Sequence, residues 1–213
     1  MRPKTILNGY DNEAIKILID IHSSVENPKI LDCTYNKGVM WKNTDYKPVR
    51  MDIDPSLPNI DVVADFKKMP FEDKSFDIIV FDPPHLPSDI GSSSVYKEMY
   101  NTDKFDEGRE RYNISAVFKP FLIEAKRVLV KHGIILAKLA DLVHSHIYQW
   151  QQVDFINAVR EANMMPCDML IKCDPRAGRM ESGIWKNVYH LRKAHCYWIV
   201  VRNSKRCERV HLK

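Results

Sequence analysis

Apolar residues recur along this chain in two rhythms that alternate from segment to segment. From Asp11, read as an N-cap, the residues Ile15, Leu18, Ile19, Ile21 and His22 share one helical face and predict a helix ending near Ser24. Four short runs then predict strands: Lys29 to Cys33, Pro48 to Asp52, Asp61 to Ala64 and Asp77 to Phe81. A long polar stretch leads to a predicted helix from about Ile114 to Lys131, which Gly133 is expected to close, and to a fifth strand from Ile134 to Lys138. A helix from about Gln149 to Ala162, a strand from Cys167 to Cys173, a polar loop and a final strand from His195 to Arg202 complete the order. Strands alternating with helices imply an α/β protein with a parallel, doubly wound sheet. The last two strands have no helix between them and are expected to pair antiparallel.

Sheets of this kind bind ligands at the carboxyl ends of their strands, near the point where strand order reverses. Those ends are acidic here: the first four strands lead into Asp32, Asp52, Asp65 and Asp82. The fourth continues as Asp82-Pro83-Pro84-His85. Proline fixes φ near −65° and pushes the residue before it towards extended geometry, so the turn is rigid. A carboxylate and the Pro83 carbonyl held this way can accept both hydrogens of an amino group. That draws an amino nitrogen conjugated to a base ring towards tetrahedral geometry and exposes its lone pair. His85 offers a flat ring for a base to stack on.

Composition narrows the setting. The 213 residues, 24.9 kDa, suit one domain over residues 1–213, with 45% hydrophobic and 28% charged residues. No run approaches the roughly 18 apolar residues of a membrane span, and Met1-Arg2-Pro3-Lys4 opens no signal-peptide core. The reading is a cytoplasmic protein. Five cysteines without paired spacing are expected to be reduced, with no metal site. The net charge of +4 is concentrated at Lys119, Lys126, Arg127 and Lys131 and in the last thirty or so residues, including Lys193, Arg202, Lys205 and Arg206. Such patches suit a phosphate backbone or a solvated surface.

The joined segment from Asp61 to His85, with the acids before it, resembles the class I S-adenosylmethionine-dependent methyltransferases. Within them it is similar to the amino-methylating DNA methylases, whose motif is D/N/S-P-P-Y/F/W. The resemblance runs from about Ile30 to Arg202. It implies a Rossmann-like doubly wound sheet of seven strands, mostly parallel with an antiparallel last strand, and S-adenosyl-L-methionine as cofactor. It also implies that Asp32 to Gly38 is the cofactor loop, with Thr34, Asn36 and Gly38 in it. Asn36 stands where the family commonly has glycine, and asparagine is the next most tolerant of left-handed geometry. By the same resemblance Asp52 takes the ribose hydroxyls and Asp65 the adenine amino group, with Phe66 beside it as a core or stacking residue. Asp54 reads as a turn former before Pro55. Asp82, Pro83, Pro84 and His85 would orient the target amino group. Here the motif departs from the family's usual Tyr, Phe or Trp, and its leading Asp leans towards adenine.

Two loops complete the expectation. The catalytic-side loop, residues 86–113, carries Tyr96 and Tyr100 as stacking groups for a lid over a flipped base. The second, residues 174–194, carries Arg176, Arg179 and Trp185 as phosphate and base contacts. Only about 45 residues separate the cofactor loop from the motif and about 128 follow it, leaving no room for an added recognition domain. Specificity then comes from these loops, from a homodimer or partner subunit, or is low. The partner expected is nucleic acid, DNA before RNA. An RNA methylase, a protein-glutamine methylase (whose motif usually opens with Asn) and a non-catalytic nucleic-acid-binding subunit are the alternatives.

Overall fold

The computed structural model describes residues 4–84, 114–144, 147–175 and 193–207. In chain order its elements are β1 (Ile6–Asn8), α1 (Asp11–His22), β2 (Ile30–Asp32), β3 (Val49–Asp52), β4 (Val62–Val63), β5 (Phe76–Phe81), α2 (Ile114–Val128), β6 (Leu129–Leu139), β7 (Leu142–His144), β8 (Ile147–Gln149), α3 (Gln151–Glu161), β9 (Met165–Cys173) and β10 (His195–Arg202). A single 3-10 turn, Val39–Trp41, lies between β2 and β3.

Eight strands form one sheet in the order β1-β9-β10-β6-β5-β2-β3-β4. All neighbours run parallel except β10, which is antiparallel to both β6 and β9. The seven expected strands and the antiparallel last strand are there; the eighth, β1, adds to the β9 edge. β1 has only three residues and no alternation, which is why its pattern is silent in the sequence. β7 and β8 form a separate two-stranded ladder that the sequence reading also passed over.

Alternation along the central strands builds two cores, one on each face of the sheet. Ile30, Ile78, Val80, Ile134, Leu136, Trp198 and Val200 pack with Ala14, Ile15, Leu18 and Ile19 of α1 and with Trp41. Leu31, Ile79, Phe81, Ile135, Ala137, Ile199 and Val201 pack with α2 and α3. The second core is aromatic. Phe81 and Phe121 stack with centroids 3.7 Å apart, Phe66 meets both edge-on, and Phe118 meets Phe155 edge-on.

Several expectations are corrected by packing. Asp11 is the first residue of α1 rather than its cap; Tyr10 occupies the N-cap, its side chain making no capping hydrogen bond, and the Asp11 carboxylate turns to the sheet instead. α2 ends at Val128, three residues before the expected Lys131, because the chain passes directly into β6. Gly133 lies within that strand, where a Cβ would come within 2.9 Å of the Asp77 carbonyl. Arg127 and Arg202, both in the basic patches, are engaged by the fold. Arg127 pairs with Glu124 and Asp73 and donates to the Met69 and Phe71 carbonyls. Arg202 is buried and donates to the carbonyls of His22 and His132. Cys167 and Cys207, expected as free thiols, are joined in a disulfide with Cα atoms 5.5 Å apart. The bends after β10 return the chain to the start of β9, bringing the two within bonding range. Cys33, Cys173 and Cys196 are free.

Phe121 is fully buried between Phe81 and Phe66, so Phe121→Ala removes a stacked ring from the centre of the aromatic core. The expected cost is about 3–5 kcal/mol, measured as a lower urea midpoint with an unchanged slope.

Candidate functional site

The chain order makes the site. From β2 the chain moves outward through β3 and β4, then crosses back to β5 on the other side of β2. In doubly wound sheets such a reversal places the ligand crevice beyond the carboxyl ends of the two strands, here β2 and β5. Leu31 pairs with Ile79 and Asp32 with Val80, so the two strands end level with each other.

Hydrogen bonds between the two strand ends join the loops that follow them. The Cys33 N–H donates to the Val80 carbonyl, and the Asp82 N–H donates to the Thr34 hydroxyl at 2.7 Å. The loop after β2 then turns sharply: Asn36 and Gly38 both adopt left-handed geometry, with φ of 49° and 60°. Asparagine therefore does take the strained conformation the turn requires. Gly38 is confined more tightly, since a Cβ there would collide with the Tyr35 ring at 2.3 Å.

Among the strand-end acids, Asp32 is fully buried. Its oxygens accept the Trp41 indole N–H at 2.6 Å and the Thr34 N–H at 3.1 Å. Burial pushes its carboxyl up to about 7 against these two donors, and the charges of Asp82 and Asp52 add to the rise. Asp32, Asp52 and Asp82 thus lie within electrostatic reach of one another. Asp52 accepts the Asn36 N–H at 2.8 Å and the Asp54 N–H at 3.1 Å, so it ties the loop after β2 to the end of β3. Asp54 behaves as the expected turn former, accepting from the Ser56 N–H and hydroxyl. Asp65 follows β4 and forms its own turn, accepting the Lys67 N–H at 2.8 Å and pairing with the Lys67 ammonium. Phe66 packs in the aromatic core.

Pro83 is buried and Pro84 exposed, so the motif emerges from the sheet between them. Asp82 is half-buried, and its Oδ2 accepts from the Lys138 ammonium at 3.0 Å. Lys138 also pairs with Asp11, which in turn meets Lys172 and the Trp198 indole N–H. Burial works against the Lys138 charge, but Asp82 and Asp11 outweigh it and hold its pKa above the usual lysine range. Beside them, burial pushes the Cys196 thiol up to about 11 despite both lysines, which keeps it a thiol. Lys138, Lys172, Trp41 and the role of Asp11 were not read from the sequence. One signal was present: Lys138 interrupts the apolar run Ile134 to Leu139 on the face that Ile134 and Leu136 bury. Five predicted site residues in the loops, Tyr96, Tyr100, Arg176, Arg179 and Trp185, lie outside the described residues, as does His85.

No family model matches the sequence, and no curated protein is significantly similar to it. Solved structures do resemble it. A candidate methyltransferase from Bacillus halodurans aligns over 90% of this chain and 99% of its own, with 14% identity and a TM-score of 0.55. A geranyl diphosphate methyltransferase, solved with GPP and sinefungin, aligns over 90% of this chain and 77% of its own, with 10% identity and a TM-score of 0.57. A DNA modification methylase candidate from Thermus thermophilus aligns with 13% identity and a TM-score of 0.41, covering 66% of this chain; the chain spans about half the length of that protein, 50%. At such identities the likeness is one of fold: the chain has the Rossmann-like architecture of methyltransferases.

The raised Asp32 carboxyl has a consequence for stability. The folded chain holds a proton on Asp32 up to about pH 7, whereas the unfolded chain releases it near 3.8. The contribution of this group to stability therefore falls as pH rises between those values. Urea midpoints measured from pH 4 to pH 8 are expected to show that downward component in the wild type, and Asp32→Asn should remove it.

Proposed function

We propose that the chain is an S-adenosylmethionine-dependent methyltransferase acting on an exocyclic amino group of a nucleic-acid base, adenine N6 in DNA before other targets. The observation that carries this reading is the Thr34 hydrogen bond to Asp82, which ties Asp82-Pro83-Pro84 to the loop after β2 at the switch point. It brings a candidate amino-holding carboxylate against a candidate cofactor loop.

The residues present suit such a cofactor. Its sulfonium and α-ammonium are cations, and the half-buried carboxylates of Asp52 and Asp82 stand at the strand ends with Asp32 buried within their electrostatic reach. Asp52 has the acceptor capacity to take ribose hydroxyls beyond the two N–H groups it already binds. Asn36 and Gly38 supply a left-handed turn close to the cofactor. When bound, the cofactor supplies an electrophilic methyl group on positively charged sulfur.

The chain's own part is positioning. Asp82 and the Pro83 carbonyl accept the two amino hydrogens and turn the nitrogen lone pair towards the methyl. Thr34 fixes the backbone of Asp82, and the prolines limit its movement. Asp52 adds negative potential that favours a cationic ligand, and such a ligand in turn favours the charged form of Asp32. No covalent link to the protein is required. The surplus of positive charge, with Lys193, Lys205 and Arg206 near the carboxyl end, supports a phosphate-bearing substrate.

Transfer of labelled methyl from S-adenosylmethionine to DNA, RNA and protein pools, followed by nucleoside analysis, tests the reading; label in N6-methyladenine from DNA is the expected result. Asp82→Ala should reduce turnover at least about 100-fold while cofactor affinity by calorimetry stays within a few-fold. Turnover near wild type would sink the assignment.

A further inference from the structure

We propose that Lys138 is a positioning residue for this reaction, anchoring the Asp82 carboxylate in one orientation through an ion-pair chain that runs on to Asp11 and Lys172. The inference rests on the amino-methylation reading of Asp82 and names a residue that reading does not require. Its basis is geometric. Four charges alternate in sign across three elements and a strand end: Lys172 of β9, Asp11 of α1, Lys138 of β6 and Asp82 beyond β5. Their contacts measure 2.9 Å, 3.1 Å and 3.0 Å in that order.

Strand periodicity explains the convergence. Ile78 and Val80 of β5, Ile134 and Leu136 of β6 and Leu170 of β9 belong to the core beneath α1. Continuing the same alternation by two residues puts Asp82, Lys138 and Lys172 on that face, at the carboxyl rim. The first turn of α1 delivers Asp11 between the lysines, and Trp198, paired with Lys138 across β10 and β6, fixes it with an indole N–H at 3.2 Å. The side chains of Lys138, Asp82 and Asp11 are 18%, 20% and 24% exposed, so the chain lies at the edge of the crevice rather than in the core.

A salt bridge made only for stability is a poor account of this site. Desolvating an ammonium costs several kcal/mol, so an aliphatic side chain at the end of an otherwise apolar strand would be the simpler solution. What an aliphatic residue cannot do is hold a carboxylate. The terminal torsion of aspartate is broad, so a carboxylate takes its plane from the groups that bind its oxygens. The Thr34 contact fixes the Asp82 backbone; the Lys138 contact fixes Oδ2, and with it the plane in which the other oxygen lies. An amino group held at two acceptors needs that plane to be constant, since misplacement by about 1 Å can cost 10²-fold in rate.

The test combines rates with a readout of Asp82 itself. Lys138→Met is expected to lower kcat about 100-fold while KM for S-adenosylmethionine changes by less than about threefold. Among the described residues, removing the cation leaves Asp82 near Asp11, with Asp32 and Asp52 behind it, Cys196 neutral and Lys172 one contact further away. The acid limb of the kcat profile should therefore move up by about one pH unit or more. Lys138→Arg keeps the charge and should return the limb to its wild-type position. A loss of rate equal at every pH, with the limb unmoved, would assign Lys138 a structural role and overturn the proposal, as would wild-type kcat. If Lys138→Met fails to fold by circular dichroism, Asp11→Asn carries the test: it leaves Lys138 to Asp82 alone and should move the limb down, an unmoved limb again overturning it. Without substrate, infrared titration of 13C-aspartate-labelled protein, with Asp82→Asn identifying the band, follows the same carboxyl. If no nucleic acid is methylated but the band shifts up with Lys138→Met, the substrate reading has failed and the anchor stands. If nucleic acid is methylated and neither band nor limb moves, the anchor has failed and the substrate reading stands.

Discussion

The pairing of β2 with β5 is the constraint on which the rest of the molecule depends. These two short parallel strands lie at the centre of the sheet, and the chain reverses direction of travel between them. Because Asp32 pairs with Val80, Asp82 leaves the sheet level with Thr34, two residues beyond Asp32 on the same face, and the loops are joined through Thr34. Buried apolar residues on both faces hold the pair in place: Leu31 and Ile79 towards α2 and α3, Ile30 and Ile78 towards α1. A slip of one residue would exchange the two faces and bury the acids on the wrong side. Register and site are thus maintained by the same packing.

Charge at this rim is managed by burial and pairing together. Asp32 sits deepest, holds two N–H donors and titrates near neutrality because its desolvation outweighs them. Asp52 joins two loop segments through backbone N–H groups. Asp82 faces a lysine that is itself shared with Asp11. Three carboxylates in one crevice would repel one another strongly if all were charged and unpaired. Protonating one, engaging one with amides and pairing one with a cation relieves that repulsion by a different means at each acid. The remaining negative potential suits a cationic ligand.

Much of this was legible in the linear pattern. The acids at Asp32, Asp52 and Asp82, the left-handed asparagine at position 36, the turn at Asp54 and the core role of Phe66 all follow from local rules of strand ends, turns and periodicity. What escaped was non-local. Asp11 looked like a helix cap because Asp before an apolar helix commonly is one; a lysine pair 127 and 161 residues further along the chain claimed it instead. Gly133 looked like a helix stop because no local signal announces that a neighbouring carbonyl will approach within 2.9 Å. Arg127 and Arg202 looked like surface charge because their carbonyl partners come from distant segments. Cys167 and Cys207 carry no motif spacing, and only the return of the chain after β10 brings them together.

The sequence by itself determined the class of fold, the alternating order of strands and helices, and which residues stand at the strand ends. Those properties depend on period, turn chemistry and the covalent neighbours of each residue. Tertiary structure alone decided which strand ends meet and what each acid faces there. Strand order is set by how the two faces of the sheet are covered, and the partner of a buried charge is whichever opposite charge the packing brings within about 3 Å. Lys138 shows the division well. Its presence at the end of an apolar strand is visible in one line of letters, and its partners, Asp11 and Asp82, appear only when α1, β5 and β6 are packed together.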